Sequence, residues 1–162
     1  MLVGDNMNNF FRYRFIKGFT LVELMVTVVV LAIVSTIGIP SLIGLVERNR
    51  TTSVANEVLG AIQFARNEAV RLNTTASICA NTDCDTADWT SGWIVMRSGE
   101  TVRVGSENSS VTISGPLSIQ FSSAGDITST LANIEVSSSS GNVKRCISMT
   151  RSGSAEVEVC DD

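Results

Sequence analysis

Lys17-Gly18-Phe19-Thr20-Leu21-Val22-Glu23, followed by an apolar run that ends at Ile39, is the stretch on which the reading of this chain turns. Residues 19–39 carry one charge, Glu23. As a helix rising about 1.5 Å per residue they span roughly the 30 Å hydrocarbon core of a bilayer. The segment Val26-Thr27-Val28-Val29-Val30 is β-branched and would suit a strand in water. In lipid, however, only a helix satisfies its own backbone over such a length. The stretch therefore reads as a membrane helix, and its single carboxyl needs a reason.

Charge is distributed unevenly around this helix. Residues 1–18 hold Arg12, Arg14 and Lys17 against Asp5, a net of +2, whereas residues 51–162 hold a net of −6. Basic residues ahead of an apolar span stay cytoplasmic, so the C-terminal part is expected across the membrane. Residues 1–18 read as a leader, for which Met1 and Met7 are alternative starts. Gly38, Pro40 and Gly44 cluster where the helix leaves the bilayer and mark a kink or weak point. Beyond them Ala55, Val58, Ile62, Ala65, Ala69 and Leu72 recur at spacings of three and four, the signature of a helix with one packed face. The helix is expected over residues 19–72, about 80 Å long.

From Thr75 the period becomes two and turn formers multiply. Strands are expected at 75–80, 92–97, 101–104, 109–114, 117–122, 133–138, 143–149 and 155–159. Eight short strands at this spacing predict two antiparallel sheets or one strongly bent sheet. The fold class is α+β: a long helix, transmembrane then amphipathic, packed on an antiparallel β-sandwich-like domain. The expected boundaries are 1–18 leader, 19–40 span, 41–73 amphipathic helix and 74–162 β domain.

A turn centred on Gly153 sets Ile147 opposite Val159 and Met149 opposite Val157, with Cys146 opposite Cys160 on the other face. A disulfide there would close a 15-residue loop, worth about 3 kcal/mol in the chain-entropy model; two free thiols are the alternative. Cys79 and Cys84 are left to pair with each other. With no histidine and no C-x₂-C knuckle, four cysteines at these spacings do not make a zinc site. Asp83, Asp85 and Asp88 form D-x-D-x-x-D without the glycine and distal glutamate of an EF-hand loop, and read as a solvated acidic loop rather than a calcium site. Trp93 reads as core, whereas Trp89 is a candidate for exposure.

Catalysis finds no foothold in the sequence. There is no histidine to activate a serine, no G-x-S-x-G elbow and no S-x-x-K pair. Glu156 and Glu158 share a strand face as a solvated edge would. No enzyme activity, metal or cofactor is expected.

In an ordinary secretory signal a small-residue cleavage site follows the apolar region, but here Gly18 precedes it. That order resembles the type IV prepilin signal, carried by Gly18, then Phe19-Thr20-Leu21-Val22-Glu23-Leu24, with Pro40 as the twenty-second residue after the cut. The resemblance implies cleavage after Gly18 by a prepilin peptidase and N-methylation at Phe19. Glu23 has a local reading, favoured in the first helical turn by about 0.3 to 1 kcal/mol. An intramembrane charge nevertheless costs about 2.5 to 3.5 kcal/mol and usually has a partner. The resemblance implies that this partner is the positive terminus of a neighbouring subunit.

Val46-Glu47-Arg48-Asn49-Arg50, Ala65-Arg66-Asn67-Glu68-Ala69-Val70 and Gly92-Trp93-Ile94-Val95 extend the likeness. They resemble the family of H-type minor pseudopilins of type II secretion and FimT/FimU minor pilins. The resemblance implies a minor subunit that helps initiate or cap a filament, in either a type IV pilus or a type II secretion pseudopilus. Its partners would be major and minor (pseudo)pilins, the peptidase and the bacterial inner membrane, crossed once with the β domain periplasmic. DNA binding is the weaker alternative. Some FimT relatives carry Gly-Arg-x-Arg near the last hairpin, whereas the matching stretch here is Arg151-Ser152-Gly153-Ser154-Ala155-Glu156, and a net of −6 leaves little cationic surface for phosphates.

Overall fold

The computed structural model describes residues 18–160. Apart from Gly18, the expected leader with Arg12, Arg14, Lys17 and the alternative start Met7 lies outside the described residues, as do Asp161 and Asp162. Helix α1 spans Leu21–Leu72. Thr20 starts it, because its hydroxyl accepts the Glu23 backbone N–H at 3.1 Å and satisfies a donor that the first turn would leave unpaired. Helical assignment continues through Pro40, which removes one N–H from the ladder. The chain divides into two compact units in sequence between Pro40 and Ser41.

The second unit contains eight strands, each within two residues of its expected bounds. β1 (Ala76–Ala80), β2 (Trp93–Arg97), β3 (Glu100–Gly105) and β5 (Ser118–Phe121) form one antiparallel sheet in the order β3-β2-β1-β5. β4 (Val111–Ser114), β6 (Ile134–Ser138), β7 (Lys144–Met149) and β8 (Ala155–Glu158) form the other in the order β4-β6-β7-β8. Of the two sequence alternatives, a pair of sheets is the one observed. Period-two patterning sorts the side chains: Val111 and Ile113 of β4, and Ile134 and Val136 of β6, are buried while Thr112 and Ser114 are exposed.

One core joins both sheets to α1. Val54, Ala55, Val58, Ala61, Ile62, Ala65 and Ala69 cluster with Ile78, Val95, Phe121, Val136 and Ile147. Four of those helical positions are alanines with no exposed surface. So small a side chain lets the helix backbone come close to the strands, where the larger side chains fill the layer between. Leu72, expected on the packed face, is instead 42% exposed, because the helix ends there and Asn73 turns the chain at a positive φ of 50° toward β1. Trp89, expected as a candidate for exposure, is fully buried and donates its indole N–H to the Pro116 carbonyl at 2.8 Å. A buried indole needs such a partner.

The last hairpin keeps its faces but shifts its register. Ile147 lies opposite Val157, Met149 opposite Ala155 and Cys146 opposite Glu158. Each pairing is two residues from the one expected. The cause is the turn: the Thr150 N–H donates to the Ser154 carbonyl and the Gly153 N–H to the Thr150 carbonyl, with Gly153 at φ 80°. This three-residue loop closing on a left-handed glycine centres the hairpin one residue earlier than Gly153. A two-residue slip preserves which side chains point inward, so Ile147 stays buried, while Val159 is left 65% exposed beyond the end of β8.

Candidate functional site

The N-terminal part of α1 is an exposed apolar surface. Residues from Leu21 to Val46 expose large apolar side chains on every side of the helix, from Val46 at 50% to Leu21 at 76%. The most apolar window of this helix has no buried residue and is long and apolar enough to cross a membrane. Its hydroxyls are turned inward on the helix's own carbonyls: Thr27 on Leu24, Ser35 on Leu31 and Thr36 on Ile33, at 2.7 to 2.8 Å. A helix bound for lipid leaves no hydroxyl without a partner. Gly18 and Phe19 are exposed ahead of the first turn, Phe19 at 83%. Glu23 stands exposed three residues after the capping Thr20. Thr20-x-x-Glu23 has the spacing of a capping box, a signal available in the sequence but not used in reading it.

The second half of the helix positions the β domain through polar side chains on its buried face. The Arg66 guanidinium donates to the Gly125 carbonyl at 3.1 Å and to the Ser152 carbonyl at 2.9 Å, which ties the loop after β5 and the β7–β8 turn to the helix. Gly153 fits there because any Cβ would collide with the Gly125 carbonyl. Glu68, almost fully buried, accepts from Arg71 at 2.8 Å and from Arg97 of β2 at 3.1 Å. The Arg71 guanidinium, assisted by Arg97 and opposed by partial desolvation, holds the Glu68 carboxyl below its ordinary range. Arg103 of β3 lies 5.4 Å from the ring centres of both Phe64 and Trp93. Trp93 in turn covers Gly105, its cross-strand partner, where any Cβ would meet the indole.

Disulfides join Cys79 to Cys84 and Cys146 to Cys160, with Cα separations of 5.3 and 5.0 Å. The first closes residues 79–84, which include Asp83, while Asp85 and Asp88 follow it. Within it Asn81, which sequence reading passed over, accepts from the backbone N–H groups of Asp83 and Cys84 and donates to Asp85 and Thr86. An Asn that bonds its own backbone two residues on is a turn signal. Asp88 accepts from the Ser91 hydroxyl and the Thr90 N–H, which lower its pKa. Asp83, Asp85 and Asp88 are thus spread along the loop. Among the described residues, the one group of ligand atoms close enough to share a metal is Glu135, Cys146 and Cys160, and its two sulfurs are spent on a disulfide.

Arg151, at the position compared with an arginine motif, donates to the carbonyls of Ile127 and Ser129 at 3.2 and 2.9 Å. One terminal nitrogen makes both bonds and ties a loop within the domain.

Residues 54–153 match the family described as type II transport protein GspH, and residues 14–39 match the prokaryotic N-terminal methylation motif. Among solved structures the chain is similar to the type IV minor pilin FimU of Pseudomonas aeruginosa strain PAO1 in two crystal forms. One match has 25% identity and a TM-score of 0.57, covering 70% of this chain and 92% of that one. The other has 24% identity and a TM-score of 0.56, covering 66% and 91%. No curated protein sequence matches.

Proposed function

This chain belongs to the GspH family of minor pilins and pseudopilins and carries the N-terminal methylation motif, and from that premise we propose that it helps initiate or cap a filament, in a type IV pilus or a type II secretion pseudopilus. The observation that carries this reading is the combination at the start of α1. Residues 21–39 of α1, apolar and exposed on all sides among the described residues, bear one carboxyl, Glu23, four residues after the Gly18–Phe19 junction. Prepilin peptidase would cut after Gly18 on the cytoplasmic side and leave a methylated, positively charged Phe19. The acid of one subunit then meets the terminus of another, which offsets the cost of holding a charge in lipid. The chain would comprise leader 1–18, span 19–40, amphipathic helix 41–73 and periplasmic β domain 74–162.

The role in this reading is structural rather than catalytic, and the absence of histidine, the commonest general base, supports it. DNA binding through the last hairpin gains no support, because Arg151 there, like Arg66 beneath it, is committed to carbonyls of its own domain.

The test is Glu23→Ala in the full chain. The protein should still insert in the inner membrane and fold, and its incorporation into filaments should be lost. Normal incorporation would remove the role given to Glu23. Mass spectrometry of the mature protein should find N-methylated Phe19 at its terminus, and a retained leader would refute the processing.

A further inference from the structure

The second unit carries a cleft of about 480 Å³ whose described lining is cationic although the domain around it is acidic. Its lining brings Arg48 from α1 together with Lys144 and Arg145 from the start of β7, beside Val159 and Cys160 at the end of the chain's last disulfide. Among the described residues no acidic side chain lines it, although residues 51–162 carry a net of −6. Of the neighbouring carboxylates, Glu47 accepts from the Ser140 hydroxyl at 2.7 Å, while Glu135 pairs with the Lys144 ammonium at 3.1 Å and offsets one of the three cations, leaving Arg48 and Arg145 to carry the charge. Among the described residues Arg48 has no ion pair, and Arg145 donates only to the carbonyl of Lys144. The Ser140 contact and the Cys146–Cys160 disulfide fix the two walls.

Place along the helix indicates what such a cleft meets. Leu42, Ile43, Leu45 and Val46 are all 50% or more exposed, so the apolar surface continues past Pro40 to within two residues of Arg48. Eight residues of helix correspond to about 12 Å, and the headgroup layer adds roughly 5 to 8 Å beyond the hydrocarbon on each side. An arginine reaches farther still by laying its apolar stem along the interface. Exposed apolar side chains followed directly by cations are the composition of a membrane-interface segment.

We propose that Arg48, Lys144 and Arg145 form a binding site for the phosphate of an anionic phospholipid headgroup, which seats the β domain on the membrane surface before the subunit enters a filament. The proposal rests on the reading of α1 as a membrane helix. A guanidinium fork matches phosphate geometry, and Lys144 adds a point charge. Each basic side chain beside an anionic membrane surface contributes about a fivefold change in affinity.

The experiment places the full chain in lipid nanodiscs of phosphatidylcholine, alone or mixed with phosphatidylglycerol, and follows amide hydrogen exchange at residues 141–146. Exchange should slow about fivefold or more when phosphatidylglycerol is present. The effect should disappear in the Arg48→Ala, Arg145→Ala double variant and persist in Arg48→Lys. Equal exchange in both lipids would overturn the site. So would protection by inorganic phosphate added to phosphatidylcholine discs, which would mark a free-anion site, or protection only by an added acidic peptide, which would mark a protein contact. Failure of the chain to co-elute with the discs would refute the membrane helix itself, a result separable from unchanged exchange in co-eluting protein.

Discussion

Residues 21–46 and residues 51–69 belong to one helix and are both rich in apolar side chains, yet they use them in opposite ways. The first stretch exposes Leu, Ile and Val on every side, while the second buries a single stripe of Val, Ile and Ala against β-strands. Hydrophobic content alone does not say where a side chain ends up. A stripe at spacings of three and four commits a helix to one partner surface, whereas apolar residues on all sides commit it to a solvent or a set of neighbours that is itself apolar. The two stretches also differ in side-chain size. Alanines at 55, 61, 65 and 69 admit close contact with strands, and the large residues before Pro40 present area to whatever surrounds them.

The sharpest way to break this comparison is to truncate one residue in each region. Phe121→Ala, opposite the buried stripe, should cost about 3 to 5 kcal/mol in urea unfolding of the β domain. Val29→Ala should leave that transition within about 0.5 kcal/mol. A comparable loss from Val29→Ala would mean that the first stretch supports the domain fold after all. Next in size is the Cys146→Ser, Cys160→Ser double variant, expected to lose about 3 kcal/mol from a 15-residue loop. Retention of full stability without the disulfide would show that β8 is held by its strand pairing alone.

The smallest effect concerns Glu68, the buried charge on the packed face. Its folded pKa is lowered, chiefly by Arg71, so its contribution is present above the unfolded value of about 4.3 and is lost as pH falls through the lowered folded value. Glu68→Gln should therefore flatten the acid limb of stability against pH and leave its shape above neutrality unchanged. An unaltered acid limb would show that other carboxylates set it. For the exposed stretch the counterpart is Glu23→Ala, whose effect is expected in filament incorporation, with the unfolding transition of the β domain unchanged.

Much of this was legible in the chain. The change of period at Thr75, the eight strands, the pairing of four cysteines and the helical stripe are local patterns, and local patterns follow from backbone geometry. What escaped were the long-range polar contacts. Nothing in Ala65-Arg66-Asn67-Glu68-Ala69 says that Arg66 reaches carbonyls 59 and 86 residues away, or that Arg97 comes to Glu68 from β2. The burial of Trp89 depends on where Pro116 returns, and the register of the β7–β8 hairpin depends on turn geometry at Gly153 that pairing by apolar match alone could not resolve.

The sequence by itself determined the apolar helix with its lone Glu23, the position of Gly18 ahead of it, and the order and periodicity of the elements that follow. These are one-dimensional properties, fixed by composition and spacing. Only the tertiary structure decided which helical side chains clamp the β domain, how far the last hairpin slips, and that Arg48 shares a cleft with Lys144 and Arg145. Residues almost a hundred positions apart meet only when two sheets and a helix close on one core, and no local pattern encodes that encounter.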